Sequence, residues 1–243
     1  MPYLNAWPLV HGLGDHVQMA VPSELAQRFA KGEVDVALIP VFEALSRPEA
    51  VIADDIAIAS RGEVFSVFLA SREPFDSLET IALDAASRTS VHLLKCLLAE
   101  FHELEPTYVE KPETATQARL LIGDAAIQFR LQHADDGWRF LDLGEEWMRC
   151  TGLPFVFACW IFRPGFEPAE PLANLLRSAK RSGLMAIEEF AAKSENPDFV
   201  REYFGRHVRY DLRTDERKAI ELFGTLLRKH GHVDVPETKI RYV

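Results

Sequence analysis

Positive charge is in short supply in this chain. Lysine and arginine number 27 against 37 aspartates and glutamates, a formal net charge of −10. That deficit argues against nucleic acid and against an anionic membrane surface as partners. Long apolar runs are missing too, since no stretch approaches the roughly 20 residues that cross a bilayer. The first twenty residues carry His11, Asp15 and His16 and show no basic-then-apolar leader. Cysteine is scarce and odd in number. Cys96, Cys150 and Cys159 sit in apolar surroundings, so free buried thiols in the reducing cytoplasm are expected instead of disulfides. There is no His-Glu-x-x-His, no CxxC pair, no GxGxxG and no phosphate loop. His230 and His232 read as a solvated tail and not as a metal site, and no Ser-His-Asp order is persuasive. An enzyme built from this sequence would work by positioning and proton transfer, with no metal and no dinucleotide.

What is present is an alternation of strand-like and helix-like segments in 243 residues, enough for one large domain or two small ones. Pro22 to Phe29 reads as a helix with Leu25 and Phe29 on one face and Gly32 closing it. Val34 to Ile39 reads as a buried strand stopped by Pro40. Strands are also expected at Ile56–Ala59, Val64–Ala70, Ile81–Leu83, Thr107–Val109, Leu120–Ile122 and Phe155–Phe162. Helices are expected near 90–101, from Gly123, and near 171–193, 197–205 and 214–230. Such alternation predicts parallel sheets covered by helices, an α/β class. The distribution suggests two lobes, 1–65 plus 165–243 and an inserted 66–164. Two apolar strands, near Val64–Ala70 and Phe155–Phe162, are placed to cross between them. Ligands bind at the carboxyl ends of strands in such sheets. Here those ends are Asn5–Pro8, Pro40–Glu43, Ala85–Ser90 and Gly123-Asp124, all expected to face one interlobe cleft.

Within that cleft the strongest local pattern is Ser87-Arg88-Thr89-Ser90, directly after a buried strand and opening a helix. A helix start offers unpaired N–H groups and the positive end of its dipole, suited to a carboxylate. Serine and threonine are also ordinary helix caps, although one cap needs only one of them. Asn5 is either a turn asparagine or a neutral amide aimed at a substrate hydroxyl or carboxylate. Ser66 is either a solvated strand end or part of the cleft floor. Gly123-Asp124 repeats the strand-to-helix arrangement, with Asp124 serving most simply as a cap.

Five stretches together resemble a known family: Tyr3-Leu4-Asn5 with Pro8-Leu9, Ala59 to Ser66, Ser87-Arg88-Thr89-Ser90-Val91, Leu121-Ile122-Gly123-Asp124-Ala125, and Thr151 to Ala158. The chain is similar to the MqnA family, the chorismate dehydratases of the futalosine route to menaquinone. The resemblance implies a periplasmic-binding-protein type II-like fold, two α/β lobes with an interlobe cleft and two crossover strands. It also implies loss of water from chorismate to give 3-[(1-carboxyvinyl)oxy]benzoate without a cofactor. The family's functional asparagine falls on Asn5 and its functional serine on Ser66. Ser87, Arg88, Thr89 and Ser90, with Gly123 and Asp124, would then bind substrate. The family places a strand ahead of the Tyr-Leu-Asn motif, whereas Met1-Pro2 alone precede it here. Trp7 stands where many relatives carry a smaller or more polar residue. Two other readings share the fold: a non-catalytic binder of small anions, and the related 1,4-dihydroxy-6-naphthoate synthase. The second would carry a catalytic histidine in the cleft, and none of the eight histidines lies in the expected cleft loops.

Overall fold

The computed structural model describes residues 3–14, 17–84, 87–110 and 116–243. Its strands sort into two sheets. The first has the order β1 (Val36–Pro40), β8 (Phe155–Phe162), β2 (Glu49–Ser60), β9 (Lys239–Tyr242). The second runs β5 (Thr107–Val109), β4 (Thr80–Ala82), β6 (Ala118–Ile122), β3 (Val67–Ser71), β7 (Arg139–Asp142). The helices are α1 (Trp7–Val10), α2 (Pro22–Ala30), α3 (Val41–Leu45), α4 (Arg88–Phe101), α5 (Gly123–Gln132), α6 (Leu143–Thr151), α7 (Ala169–Met185), α8 (Ile187–Ala192), α9 (Pro197–Glu202) and α10 (Thr214–Lys229). None is long and apolar enough to cross a membrane among the described residues.

The sheets are mixed and not parallel throughout, which corrects the expectation from strand–helix alternation. β2 pairs with β9, and β4 with β5 and β6, in parallel. β8 runs antiparallel to β1 and β2, and β3 antiparallel to β6 and β7. Parallel pairing needs a crossover within one sheet. β3 and β8 instead arrive from the other sheet: the chain passes over between β2 and β3 and returns between β7 and β8. The two apolar strands read as crossovers flank these passages.

β8 sits between β1 and β2, and all eight of its residues are buried. That placement explains its unbroken apolar run, Phe155 to Phe162, since both faces are covered. Each large side chain so buried contributes about 1.5–3 kcal/mol. β1 is the sheet's edge, and a cavity of about 320 Å³ runs beside it. The consecutive residues Val34 to Leu38 all border that cavity. Successive side chains of a strand point to opposite faces, so they can share one cavity only along the strand's edge.

The N-terminal segment is anchored by packing. α1 lies across α7 at Gly183, where a Cβ would overlap the Pro8 carbonyl. Only glycine permits so close an approach, and Tyr3 and Asn5, just ahead of α1, share a cleft with Pro40 at the carboxyl end of β1 and Ile58 near that of β2.

Candidate functional site

A single helical turn, Leu4–Ala6, leads into α1, whose Pro8 occupies the first turn where a missing N–H costs nothing. Three hydrogen bonds fix this turn. Ala6 N–H donates to Tyr3 O at 3.0 Å, Leu4 N–H to Asp124 Oδ1 at 3.0 Å, and Tyr210 Oη to Asn5 O at 2.8 Å. Burial raises the Asp124 pKa, and the Leu4 N–H partly offsets that rise. With its backbone held this way, Asn5 turns its amide into the cleft. Its Oδ1 is buried and has no hydrogen-bond partner among the described residues. Leaving such an oxygen unpaired costs on the order of 1–3 kcal/mol, so it marks a place for a donor supplied by a ligand.

Ser66 is fully buried beneath the same space, at the entrance to β3. The residue before it, Phe65, has φ +67°, a left-handed conformation that strains a bulky side chain by roughly 1–2 kcal/mol. The surroundings hold it there. Phe65 N–H donates to Asp142 Oδ2 at 2.8 Å, and the Arg130 guanidinium lies 4.4 Å from the centre of its ring. Ser66 O accepts from Gly123 N–H at 2.8 Å. Gly123 itself has φ +63°, and a Cβ there would stand 3.0 Å from the Tyr3 ring. The side chain of Ser66 is also held, accepting from Tyr203 Oη at 2.8 Å. Burial raises the Tyr203 pKa well above its ordinary value, with hydrogen bonding from Ser66 and Asn5 pulling it partly back, so the phenol stays protonated.

The start of α4 divides its four polar residues between two tasks. Ser87 caps the helix, accepting from Ser90 N–H at 3.2 Å and donating to Ser90 Oγ at 2.8 Å. Both serines border the cleft. Thr89 turns the other way, its Oγ1 accepting from Phe42 N–H at 3.1 Å and so joining α4 to α3. Arg88 reaches outward to Glu43 at 2.7 Å, with its guanidinium 4.6 Å from the centre of the Phe42 ring. Ala85-Ala86, part of the same motif, lie outside the described residues.

The structure thus gathers Tyr3, Asn5, Pro40, Ser87, Ser90 and Gly123 around one narrow cleft with a free volume of about 50 Å³. Ser66 lies under it between Val64 and Val67, both of which line it. Arg88, Thr89 and Asp124 brace the cleft from behind with partners of their own. The cavity beside β1 is larger, but it is mostly apolar and shares none of its lining residues with this cleft. Among the described residues no cluster of histidine, cysteine, aspartate and glutamate could hold a metal ion, and His230 pairs with Glu100 at 2.8 Å. Sequence reasoning did not reach Tyr203 and Tyr210. Their partners lie far away in the chain, and two tyrosines in a helical tail are the only trace they leave.

Comparison with known proteins identifies the family and the fold. A family model described as menaquinone biosynthesis matches residues 1–229. A protein of Thermus thermophilus named chorismate dehydratase is 32% identical, over 93% of this chain and 92% of its own. In structure, a protein of Archaeoglobus fulgidus superposes with a TM-score of 0.70 at 18% identity, covering 96% of both chains. A Candida albicans protein described as having the generic periplasmic-binding-protein fold gives 0.58 at 12% identity, covering 99% of this chain and 95% of that one. The fold is that of the periplasmic binding proteins, and the chain belongs to the MqnA family of menaquinone biosynthesis.

Proposed function

We propose that this protein is a cytoplasmic enzyme that dehydrates chorismate to 3-[(1-carboxyvinyl)oxy]benzoate. The observation that carries the reading is the buried Asn5 Oδ1, unpartnered among the described residues, on a cleft also lined by Val64 and Val67, which flank Ser66. The name of the Thermus relative supports it. Chorismate is a dianion whose ring becomes aromatic when the C4 hydroxyl and the C3 hydrogen depart as water. The substrate supplies the driving force, and the protein has to orient two groups and help one leave.

Asn5 Oδ1 accepts from the C4 hydroxyl. Ser66 donates to the same oxygen as the C4–O bond breaks, where negative charge develops. The C3–H electron pair becomes the new ring double bond. Its proton passes to the substrate's own enolpyruvyl carboxylate, since the described residues lining the cleft include no carboxylate or imidazole. From there it passes to the departing hydroxide, which leaves as water. The start of α4, with Ser87 and Ser90, holds a substrate carboxylate at the positive end of the helix. No cofactor takes part in these steps. Lobes 1–65 plus 165–243 and 66–164, joined by two passages, close over the ring and exclude water.

Kinetics on purified protein tests the roles. Asn5→Ala and Ser66→Ala are each expected to lower kcat by about 100-fold, the usual effect of deleting one well-placed polar group. Undiminished turnover in either variant would remove that residue from the mechanism.

A further inference from the structure

We propose that Tyr203 is a positioning residue of this site, its hydroxyl fixing the direction in which Ser66 presents its proton to the ligand. The inference rests on the functional reading above and adds a residue to it. Tyr203 is 1% exposed and belongs to the core, yet its one polar atom is not spent on a neighbouring backbone carbonyl. It reaches across 137 positions of sequence to Ser66 Oγ at 2.8 Å.

A serine hydroxyl has one hydrogen and two lone pairs, and it rotates freely unless a partner fixes it. When Tyr203 donates to one lone pair, the Ser66 hydrogen must point elsewhere, and the cleft above is the space in which a ligand oxygen would meet it. Burial keeps the Tyr203 phenol protonated, so the donor stays in place across the working pH range.

The backbone around Tyr203 is shaped to deliver this contact. Tyr203–His207 forms one wide turn in which Val208 N–H donates to Tyr203 O, five residues back, at 3.2 Å. Wide turns of this kind are rare and concentrate at functional sites. The Phe199 ring stacks on Tyr203 with centroids 5.7 Å apart and planes 24° apart, which leaves the phenol little freedom to swing away. From the same stretch Tyr210 holds the Asn5 carbonyl. One segment of the tail therefore sets both residues of the reacting pair.

Tyr203→Phe removes the hydroxyl and keeps the ring, so it isolates the hydrogen bond. We expect kcat for chorismate to fall by about tenfold or more, with KM within about twofold, the split produced when an interaction made in the transition state is lost. In a Ser66→Ala background the same change should cost nothing further, because the two hydroxyls act as a unit. A filler of the core would leave kcat intact, or would multiply its effect with that of Ser66→Ala. Either result, in a wild-type protein that dehydrates chorismate, overturns the proposal and leaves the functional reading standing. A wild-type protein that leaves chorismate unchanged overturns both. Should Tyr203→Phe fail to fold, the wild-type chain serves with its tyrosines 13C-labelled at Cζ. The Tyr203 signal should shift on adding the aromatic product and stay still in Ser66→Ala. A Tyr203 signal that ignores the product in the wild-type chain overturns the proposal.

Discussion

Asn5 and His92 are both governed by what burial withholds from them. The Asn5 Oδ1 has no hydrogen-bond partner among the described residues, and the rest of its amide lies beside the Tyr203 phenol, so Asn5→Ala removes little that stabilises the fold. Its melting temperature in a thermal scan should stay close to that of the wild type, while turnover collapses. His92 on α4 stacks on Phe42 with ring centroids 4.0 Å apart, and burial pulls its pKa from 6.5 down to about 4. His232, Lys95 and Arg88 add to that depression, and the Arg88 carbonyl opposes it. The folded chain therefore keeps the imidazole neutral, and the unfolded chain takes up the proton first as pH falls. Stability is whole above 6.5 and is lost as pH drops toward about 4. His92→Asn should flatten that part of the melting temperature–pH curve, and an unchanged slope would assign the acid loss to other groups. At this scale the sequence was legible wherever a residue sits in a local motif, as with Asn5 or the Ser87 cap. It was silent on Tyr203 and Tyr210, whose partners are 137 and 205 residues away.

Helix ends and close approaches carry the arrangement from residues to elements. Ser87 caps α4, and Ser87→Ala should cost about 1 kcal/mol in denaturant melts. It should also weaken substrate binding through the frayed first turn. Gly183 lets α7 approach α1 until no room for a Cβ remains. Gly183→Ala should therefore cost roughly 2–3 kcal/mol as α1 is pushed off, and should lower turnover by moving Asn5 with it. Legibility among the elements followed burial. β8 was read to the residue because a strand covered on both faces has no polar positions to blur it. β9 escaped notice: it is an edge strand, half exposed, in a stretch of mixed charge. α6 escaped as well, because its start is defined by the Asp142 cap, and that carboxylate serves residues far from its own helix. The first half of β2 was lost to Asp54 and Asp55, where the register shifts against β8.

For the molecule as a whole, the passages between the sheets decide whether the cleft exists. Asp142, at the end of β7, accepts from Gly144 and Glu145 N–H in its own helix at 3.0 and 3.1 Å. It also accepts from Val64 and Phe65 N–H in the outgoing passage at 3.0 and 2.8 Å. Arg130 completes the set at 3.3 Å and binds Glu63 at 2.6 Å. One buried carboxylate thus ties both passages together next to Ser66. Asp142→Ala strands four N–H donors and should lower stability by about 3 kcal/mol or more, with loss of activity even at temperatures where the variant remains folded. The mixed direction of the sheets was not legible because alternation of element types does not encode which sheet a strand joins.

The measurement that bears most directly on the reading is a single incubation of purified protein with chorismate, without added metal or cofactor, followed by mass spectrometry and proton NMR. A product lighter by one water, with aromatic ring signals, formed by the wild type and not by Asn5→Ala, is the expected result. Chorismate that stays unchanged while the protein is folded would contradict it and leave a binding protein on the same fold.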